Sequence, residues 1–165
     1  MTKAMSNAPI KLSDEEYAKS LPKKQVGTAV LFFNQSGELL VVKPNYKDSW
    51  LVPGGSAEQN ESPLACALRE TQEEIGLAYT TFPMVGLYYA PEKGPFSDSL
   101  KFIFNGGILS DEQIESIQLE EKELEGWAFM PISIALPLLS ASLQKCLPQS
   151  LAALETGAFA YIENI

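Results

Sequence analysis

The sequence predicts an α/β fold in which a mixed sheet carries helices on both faces. Three observations support this prediction: apolar strand-like runs, one helix marked at both ends, and the interleaving of the two kinds of segment along the chain. The chain has 165 residues, 45% of them hydrophobic, which is enough for one core but hardly for two. We therefore expect one globular domain over residues 25–165, preceded by a leader segment over 1–24.

The N-terminal half begins with this leader and continues into strands. Ser13 and Glu16 have the spacing of a capping box, which predicts a short helix that Pro22 ends and that packs on the domain. Apolar runs with strand character follow at 26–33 and 38–43, and the turn residues between them predict a hairpin.

The C-terminal half predicts more strands and then helix. Strands are expected at 80–90, 99–109 and around 127–129, and a helical region is expected at 132–157. Because proline lacks a backbone N–H and clashes with the preceding turn, we expect this helical region to be interrupted near Pro137 and Pro148.

The best-marked element is a helix over 63–75. Ser62 is a favourable N-cap, Pro63 suits the first helical position, and Gly76 provides a C-terminal stop. At about 100° per residue, one face of this helix is apolar and another is acidic. The apolar face carries Leu64, Leu68, Thr71 and Ile75, and the acidic face carries Glu70, Glu73 and Glu74.

The acidic face has two interpretations. Glutamates at these spacings repel one another by about 0.2–0.5 kcal/mol per pair, and a solvated acidic face is the simpler interpretation of the spacing alone. A divalent cation removes the repulsion, and oxygen ligands favour Mg²⁺, or Mn²⁺ as a substitute. The upstream pair Gly54 and Gly55 favours the metal site, since glycine lets the backbone come close and turn a carbonyl toward the same ion.

Composition excludes several other kinds of site. The chain has no histidine and two cysteines, which excludes a Cys/His zinc site and a histidine-based catalytic triad. Its net charge of −9 argues against duplex nucleic acid as a partner. No apolar run is long enough to span a membrane and no signal peptide is evident, so we expect a cytoplasmic protein with reduced thiols.

The residues from Gly55 to Leu77 resemble the Nudix box. The box reads G-x5-E-x7-R-E-U-x-E-E-x-G-U, where U is a bulky aliphatic residue, and every fixed polar and glycine position is matched. The one departure is Thr71 at the first U position, which we expect to affect packing rather than chemistry. The segment 50–55, Trp-Leu-Val-Pro-Gly-Gly, is also similar to the usual lead-in, and the resemblance covers about residues 25–132.

The resemblance to the Nudix hydrolase (MutT-like) family implies a fold and a set of roles. It implies an α/β/α sandwich and Mg²⁺-dependent cleavage of a phosphoanhydride bond in a nucleoside diphosphate linked to another group, X. By resemblance, Glu70, Glu73 and Glu74 bind one or more ions, with the carbonyl of Gly54 or Gly55 as a further ligand. Arg69 orients Glu73 through an ion pair, and Glu61 accepts hydrogen bonds that organise the loop. These residues form the predicted catalytic and metal-binding sites: catalytic Arg69, Glu70, Glu73 and Glu74, and metal-binding Gly54, Gly55, Glu70, Glu73 and Glu74.

Several alternatives stay open at this point. The expected substrate is a small nucleotide, but the residues do not identify the group X. Two other functions are compatible with them: a nucleoside triphosphate pyrophosphohydrolase, and a module that senses a nucleotide without turnover. A homodimer is also compatible with the sequence. A further glutamate in the loop before Trp127 is either the base or an extra ligand in many relatives, and the candidates are Glu120, Glu121 and Glu123. Lys43, Tyr46 and Lys47 are weaker candidates for binding phosphate or a base. Cys66 is expected to be an apolar filler.

Overall fold

A computed structural model describes residues 12–164 as five helices and six strands. The helices and strands, in chain order, are α1 (Asp14–Ser20), β1 (Gln25–Phe33), β2 (Leu39–Pro44), α2 (Pro63–Ile75), β3 (Met84–Ala90), β4 (Ser99–Ile108), α3 (Asp111–Glu115), β5 (Leu124–Met130), α4 (Ile132–Leu138), α5 (Ala141–Thr156) and β6 (Ala160–Glu163).

The strands form one mixed sheet in the order β5-β2-β1-β4-β3-β6. The β1–β4 and β3–β6 pairs are parallel, whereas β2 pairs antiparallel with β5 and β3 pairs antiparallel with β4. The predicted hairpin forms, with Phe33 opposite Leu39 and the turn closed by a hydrogen bond from the Asn34 N–H to the Glu38 carbonyl.

Helices cover both faces of this sheet, which confirms the predicted α/β/α sandwich. Residues alternate along β1, so that Leu31 packs on the side of α4 and α5 while Phe32 packs on the side of α2. Each face therefore has its own apolar cluster. α2 contributes Ala67 and Ile75 to one cluster, and α5 contributes Leu143 and Leu147 to the other, and both clusters include residues of β1 and β2.

The segment 50–55 lies between β1 and β2 beyond the hairpin turn. Leu51 bridges to Val42 of β2, while the Pro53 carbonyl accepts from the Val30 N–H and the Gly55 carbonyl accepts from the Thr28 N–H of β1. This segment also reaches the α4–α5 corner, through backbone hydrogen bonds of Trp50. The glycine pair is thereby fixed against the sheet.

One secondary-structure prediction is corrected, and two elements were not predicted. The strand expected from residue 80 begins at Met84, because Pro83 has no N–H and its carbonyl bonds to Asn105 instead. α3 was not predicted, although Ser110 and Gln113 form a capping box, and neither was the four-residue strand β6. A strand this short has too little alternation to distinguish it from a loop.

Of the two interruptions predicted in the C-terminal helical region, the one near Pro137 occurs and the one near Pro148 does not. The helical region does break at Leu139 and Ser140, shortly after Pro137. Pro148, however, lies inside α5 and does not interrupt it. Pro148 and Gln144 are both exposed, so the carbonyl that loses its helical partner lies on the solvent side of the helix, where the loss costs least.

The leader helix forms as predicted but does not pack. The Ser13 side chain accepts from the Glu16 N–H and the Glu16 side chain accepts from the Ser13 N–H, completing the capping box. α1 nevertheless buries none of its residues, so the expected packing role is wrong. Residues 1–11 of the leader lie outside the described residues. None of the helices within residues 12–164 has both the length and the apolarity needed to cross a membrane.

Candidate active site

α2 begins and ends where the sequence predicted. The Ser62 hydroxyl accepts from the Ala65 N–H, Pro63 opens the helix, and Gly76 closes it with φ of 75°. Thr71, the departure from the aliphatic pattern, is fully buried, and its hydroxyl donates to the Ala67 carbonyl at 2.7 Å. A hydroxyl satisfied within the helix can be buried without an unpaired donor, so Thr71 fills the aliphatic position.

The glycine pair allows two close approaches that a side chain would block. A Cβ on Gly54, which has φ of 140°, would lie 2.4 Å from the backbone carbonyl oxygen of Thr28. A Cβ on Gly55 would lie 2.2 Å from Oε1 of Glu70. Gly54 is thus required by the packing on β1, whereas Gly55 makes room for a carboxylate of α2.

Arg69 joins the loop to the helix. Its Nε and Nη2 donate to the two carboxylate oxygens of Glu61 at 2.8 and 2.9 Å, and its Nη1 donates to Glu70 and Glu73 at 2.9 Å. The hydrogen bonds from Arg69 lower the pKa of Glu61 to about 2. Glu61 also accepts from the Glu58 N–H, which is consistent with a role in organising the loop.

The three glutamates of the acidic face differ in their surroundings. The side chain of Glu73 is 54% exposed, while that of Glu70 is 13% exposed and Glu74 is 6% exposed. Burial raises the pKa of Glu74 to about 8, against the opposing hydrogen bond from the Gly54 N–H at 2.8 Å. Among the described residues, no lysine or arginine forms an ion pair with Glu74. A purely solvated acidic face therefore does not describe this helix.

Glu70 and Glu74 face a cleft of about 460 Å³ that extends across the sheet. The same cleft is lined by Glu123 from the loop before β5 and by Tyr46 and Lys47 from the loop after β2. Its opposite end is lined by the start of β4 and the start of α5, with Ser99, Lys101, Ser140 and Ser142. The cleft has an acidic end and an end with a lysine and three serines.

The structure separates the candidates that the sequence left open. Glu123 lines the cleft, whereas Glu120 and Glu121 do not. Lys47 and Tyr46 line it too, but the Lys43 ammonium lies near the Glu125 carboxylate at 3.5 Å and donates to the Lys47 carbonyl. Cys66 is fully buried, with its Sγ 3.4 Å from the Thr28 hydroxyl.

Four other aromatic residues, Trp50, Tyr88, Tyr89 and Trp127, do not line the cleft. Trp50 and Trp127 are partly buried against the two apolar clusters, and Tyr88 is 2% exposed. The hydroxyl of Tyr89 donates to Asp98 at the sheet edge.

Lys101 and the serines of the far end were missed by the sequence analysis. Lys101 occupies one position of an ordinary strand, and its hydrogen-bond partner Ser142 is 41 residues away in the chain. Short motifs along the sequence do not report such pairs, because the two residues become neighbours only when β4 and α5 pack together.

The carboxylates at the acidic end fit a hard divalent cation in chemistry. Every carboxylate ligand there is an oxygen donor, and Glu74 is a buried carboxylate that forms no ion pair among residues 12–164, although the charge of Lys47 partly opposes the rise in its pKa. Within residues 12–164, no three acidic, cysteine or histidine side chains are gathered closely enough to form a ready-made metal site. Arg69 holds Glu70 and Glu73, and the Gly54 N–H holds Glu74.

The chain is similar to known proteins in sequence and in fold. An RNA pyrophosphohydrolase from Hydrogenovibrio crunogenus is 28% identical over 141 residues, which cover 77% of this chain and 86% of that protein. The m7GpppN-mRNA hydrolase of Saccharomyces cerevisiae is 34% identical over 67 residues, 41% of this chain but 7% of that protein. Among solved structures, a UDP-X diphosphatase superposes with a TM-score of 0.70 at 20% identity, covering 92% of this chain and 76% of that chain.

The family follows from the sequence match together with the fold. Residues 23–150 match the NUDIX domain, a range that includes the box, the cleft-lining part of β4 and the start of α5. The chain therefore belongs to the NUDIX family, as the resemblance of residues 55–77 predicted, and is a hydrolase that acts on phosphoanhydride bonds.

Proposed function

We propose that this protein uses Mg²⁺ to hydrolyse a nucleoside diphosphate linked to a group X, giving a nucleoside monophosphate and phospho-X. The observation that carries the proposal is the acidic end of the cleft, where Glu70, Glu74 and Glu123 line one cavity and the buried Glu74 forms no ion pair with a lysine or arginine among the described residues. A relative that hydrolyses pyrophosphate in RNA supports the same bond type.

Glu70, Glu73 and Glu74 would hold the ion, with Mn²⁺ as a substitute, and the Gly54 carbonyl is the better candidate of the two glycine carbonyls. The Gly55 carbonyl already accepts from the Thr28 N–H at 2.8 Å, whereas no hydrogen bond to the Gly54 carbonyl occurs among the residues from 12 to 164. A bound Mg²⁺ would neutralise negative charge on the diphosphate and make water more acidic.

The residues of the chain have separate tasks in this proposal. Arg69 and Glu61 fix the loop and orient the carboxylates of Glu70 and Glu73. Glu123, the member of its acidic run that reaches the cleft, accepts the proton of the attacking water. The water oxygen bonds to one phosphorus of the diphosphate while the bond from that phosphorus to the bridging oxygen breaks, and the bridging oxygen leaves with the other phosphate.

We further propose that residues 25–165 form the hydrolase domain. The sheet begins at Gln25, and α1 in the leader buries no residue. The substrate is a small nucleotide that fits a cleft of about 460 Å³.

A turnover screen tests the proposal directly. The purified protein is incubated with Mg²⁺ and with ADP-ribose, nucleotide sugars, dinucleoside polyphosphates, deoxynucleoside triphosphates and capped RNA, and the products are separated. We expect a nucleoside monophosphate and phospho-X from at least one diphosphate-linked substrate, with activity abolished by EDTA. Turnover of triphosphates alone would identify a nucleoside triphosphate pyrophosphohydrolase. Binding of a nucleotide without any turnover would identify a sensing module.

A further inference from the structure

The far end of the cleft contains one lysine in unusual surroundings. Lys101 lies near the start of β4, opposite Gly27 of β1 and Tyr88 of β3. Its ammonium donates to the Ser142 hydroxyl of α5 at 2.7 Å. The side chain therefore lies on the α5 side of the sheet and lines the cleft rather than extending into solvent.

The Lys101 ammonium is poorly hydrated and lacks a counterion among the described residues. Burial lowers the pKa of Lys101, against a smaller opposing effect of the Cys146 thiol. No aspartate or glutamate in the described part of the chain lies within ion-pair distance of it. A partly buried cation without a counterion is unfavourable, and a single neutral hydroxyl offsets little of that cost. An anion brought by a ligand would complete the surroundings of Lys101.

The residues around Lys101 suit an anion rich in oxygen. Ser99, Ser140 and Ser142 line the same end of the cleft, and each hydroxyl can donate a hydrogen bond. Ser140 precedes the first turn of α5 but forms no side-chain cap, and Leu143 of that turn also lines the wall. The N-terminus of a helix of 16 residues adds a favourable potential for negative charge.

The two ends of the cleft differ in charge and suit different parts of a substrate, with Lys47 as a second lysine of the lining. The acidic end, with Glu70, Glu74 and Glu123, repels phosphate unless a cation lies between them. The Lys101 end attracts phosphate directly. A substrate that extends from one end to the other therefore needs its second anionic group outside the diphosphate that is cleaved.

We propose that Lys101, with Ser140 and Ser142, binds a phosphoryl group of the substrate that lies outside the cleaved diphosphate. The preferred substrates then carry at least one additional phosphate, either in a longer phosphate chain or as a phosphomonoester. This inference deepens the proposed function and rests on it. Lys101 selects substrates by charge, whereas the carboxylates at the acidic end are needed for every substrate.

The test compares matched substrates that differ in phosphate content. Diadenosine tetraphosphate and diadenosine diphosphate differ in the length of the phosphate chain, and NADP⁺ and NAD⁺ differ by one phosphomonoester. kcat/KM is measured for each with the intact protein and with Lys101→Met, which keeps the length of the side chain and removes its charge. We expect a loss of about tenfold or more for the phosphate-rich member of at least one pair and less than about threefold for its partner. The pair that responds distinguishes the two sources of the phosphate.

Two control variants separate charge recognition from a structural role. Lys145→Met changes an exposed lysine of α5 whose ammonium contacts Asn164, and it should leave both pairs unchanged. Lys101→Arg keeps a positive charge and should retain most of the preference. Melting temperatures show whether each variant is folded, and Lys101→Gln replaces Lys101→Met if the apolar variant fails to fold. Equal losses on both members of each pair, or no loss on any, would overturn the proposal.

A binding measurement without metal keeps this inference separate from the proposed function. Tripolyphosphate is titrated into the protein in EDTA, where no hydrolysis occurs. We expect binding that Lys101→Met weakens about tenfold and that Lys145→Met does not change. Equal affinity for the intact protein and Lys101→Met would overturn the Lys101 proposal even if the enzyme is active. If the protein turned over no substrate, the proposed function would be excluded. The tripolyphosphate titration would still decide whether Lys101 binds phosphate.

Discussion

The two ends of the cleft are built in different ways. The acidic end comes from one short stretch of chain, the loop and helix of residues 54–74, with Glu123 added from a second loop. The opposite end combines β4 with the start of α5, which are 41 residues apart at the Lys101–Ser142 contact. Carboxylates dominate the first end, and a lysine with serine hydroxyls dominates the second.

This difference separates the residues needed for hydrolysis from the residues that select the substrate. A local motif fixes the spacing of several ligands on one helix, so the relative placement of Glu70 and Glu74 along α2 follows from the sequence of the helix itself. The lysine end depends on how β4 and α5 pack, so it can differ between proteins that share the box. We expect changes at the acidic end to affect every substrate and changes at the lysine end to affect some substrates only.

The largest effect should come from Glu74. Glu74→Gln keeps the size of a buried side chain and removes the charge that holds a cation, so kcat should fall at least about a hundredfold. The fall should be similar for every substrate that the protein accepts. Steady-state kinetics measure the fall in kcat, and circular dichroism shows whether the variant is folded. Glu155→Gln, at an exposed position of α5, is the control. Unchanged turnover would remove Glu74 from the mechanism.

Alanine substitutions of the two neighbouring glycines should have different effects, one on activity and the other on stability. Gly55→Ala places a Cβ against the Glu70 carboxylate, so it should lower kcat about tenfold while the melting temperature changes little. Gly54→Ala places a Cβ against the backbone of Thr28 at a φ that favours glycine, so it should lower the free energy of unfolding by about 1–3 kcal/mol. Thermal melts beside kinetics distinguish the two results. A loss of stability in Gly55→Ala equal to that in Gly54→Ala would contradict this assignment.

A smaller effect is expected in the loop before β5. Glu123→Gln should lower kcat about tenfold if Glu123 takes the proton from water, which is less than a general base usually contributes, because a bound Mg²⁺ would already make that water more acidic. Glu121→Gln should change nothing, because Glu123 lines the cleft and Glu121 does not. Single-turnover rates give the comparison. Equal behaviour of the two variants would exclude Glu123 as the base.

The sequence predicts most of the acidic end and little of the lysine end. Ser62, Pro63 and Gly76 define α2 through local hydrogen bonds and backbone preferences, and the structure agrees at each position. The helical wheel places Glu73 and Glu74 on one face, yet Glu73 is half exposed and Glu74 is buried. The difference arises from the 50–55 segment, whose Gly54 N–H donates a hydrogen bond to the Glu74 carboxylate. The spacing of residues along α2 does not predict this contact.

Misses elsewhere have physical causes of the same kind. A proline usually interrupts a helix. Pro148 does not interrupt α5, because it lies on the exposed side of the helix, where the freed carbonyl faces water. Lys101 has no local signature, because a lysine on a strand becomes a binding residue only through its neighbours across the fold. Local rules predict elements and caps, and tertiary packing decides which charged residues are buried.

Cation binding at the acidic end is the central claim, and Mn²⁺ titration followed by electron paramagnetic resonance tests it most directly. The intact protein should bind Mn²⁺ in the absence of nucleotide, and Glu74→Gln should weaken that binding by about tenfold or more, because it removes a buried carboxylate ligand. Lys101→Met should leave the same affinity unchanged. Equal Mn²⁺ affinity in the intact protein and in Glu74→Gln would contradict the placement of the metal at this end of the cleft.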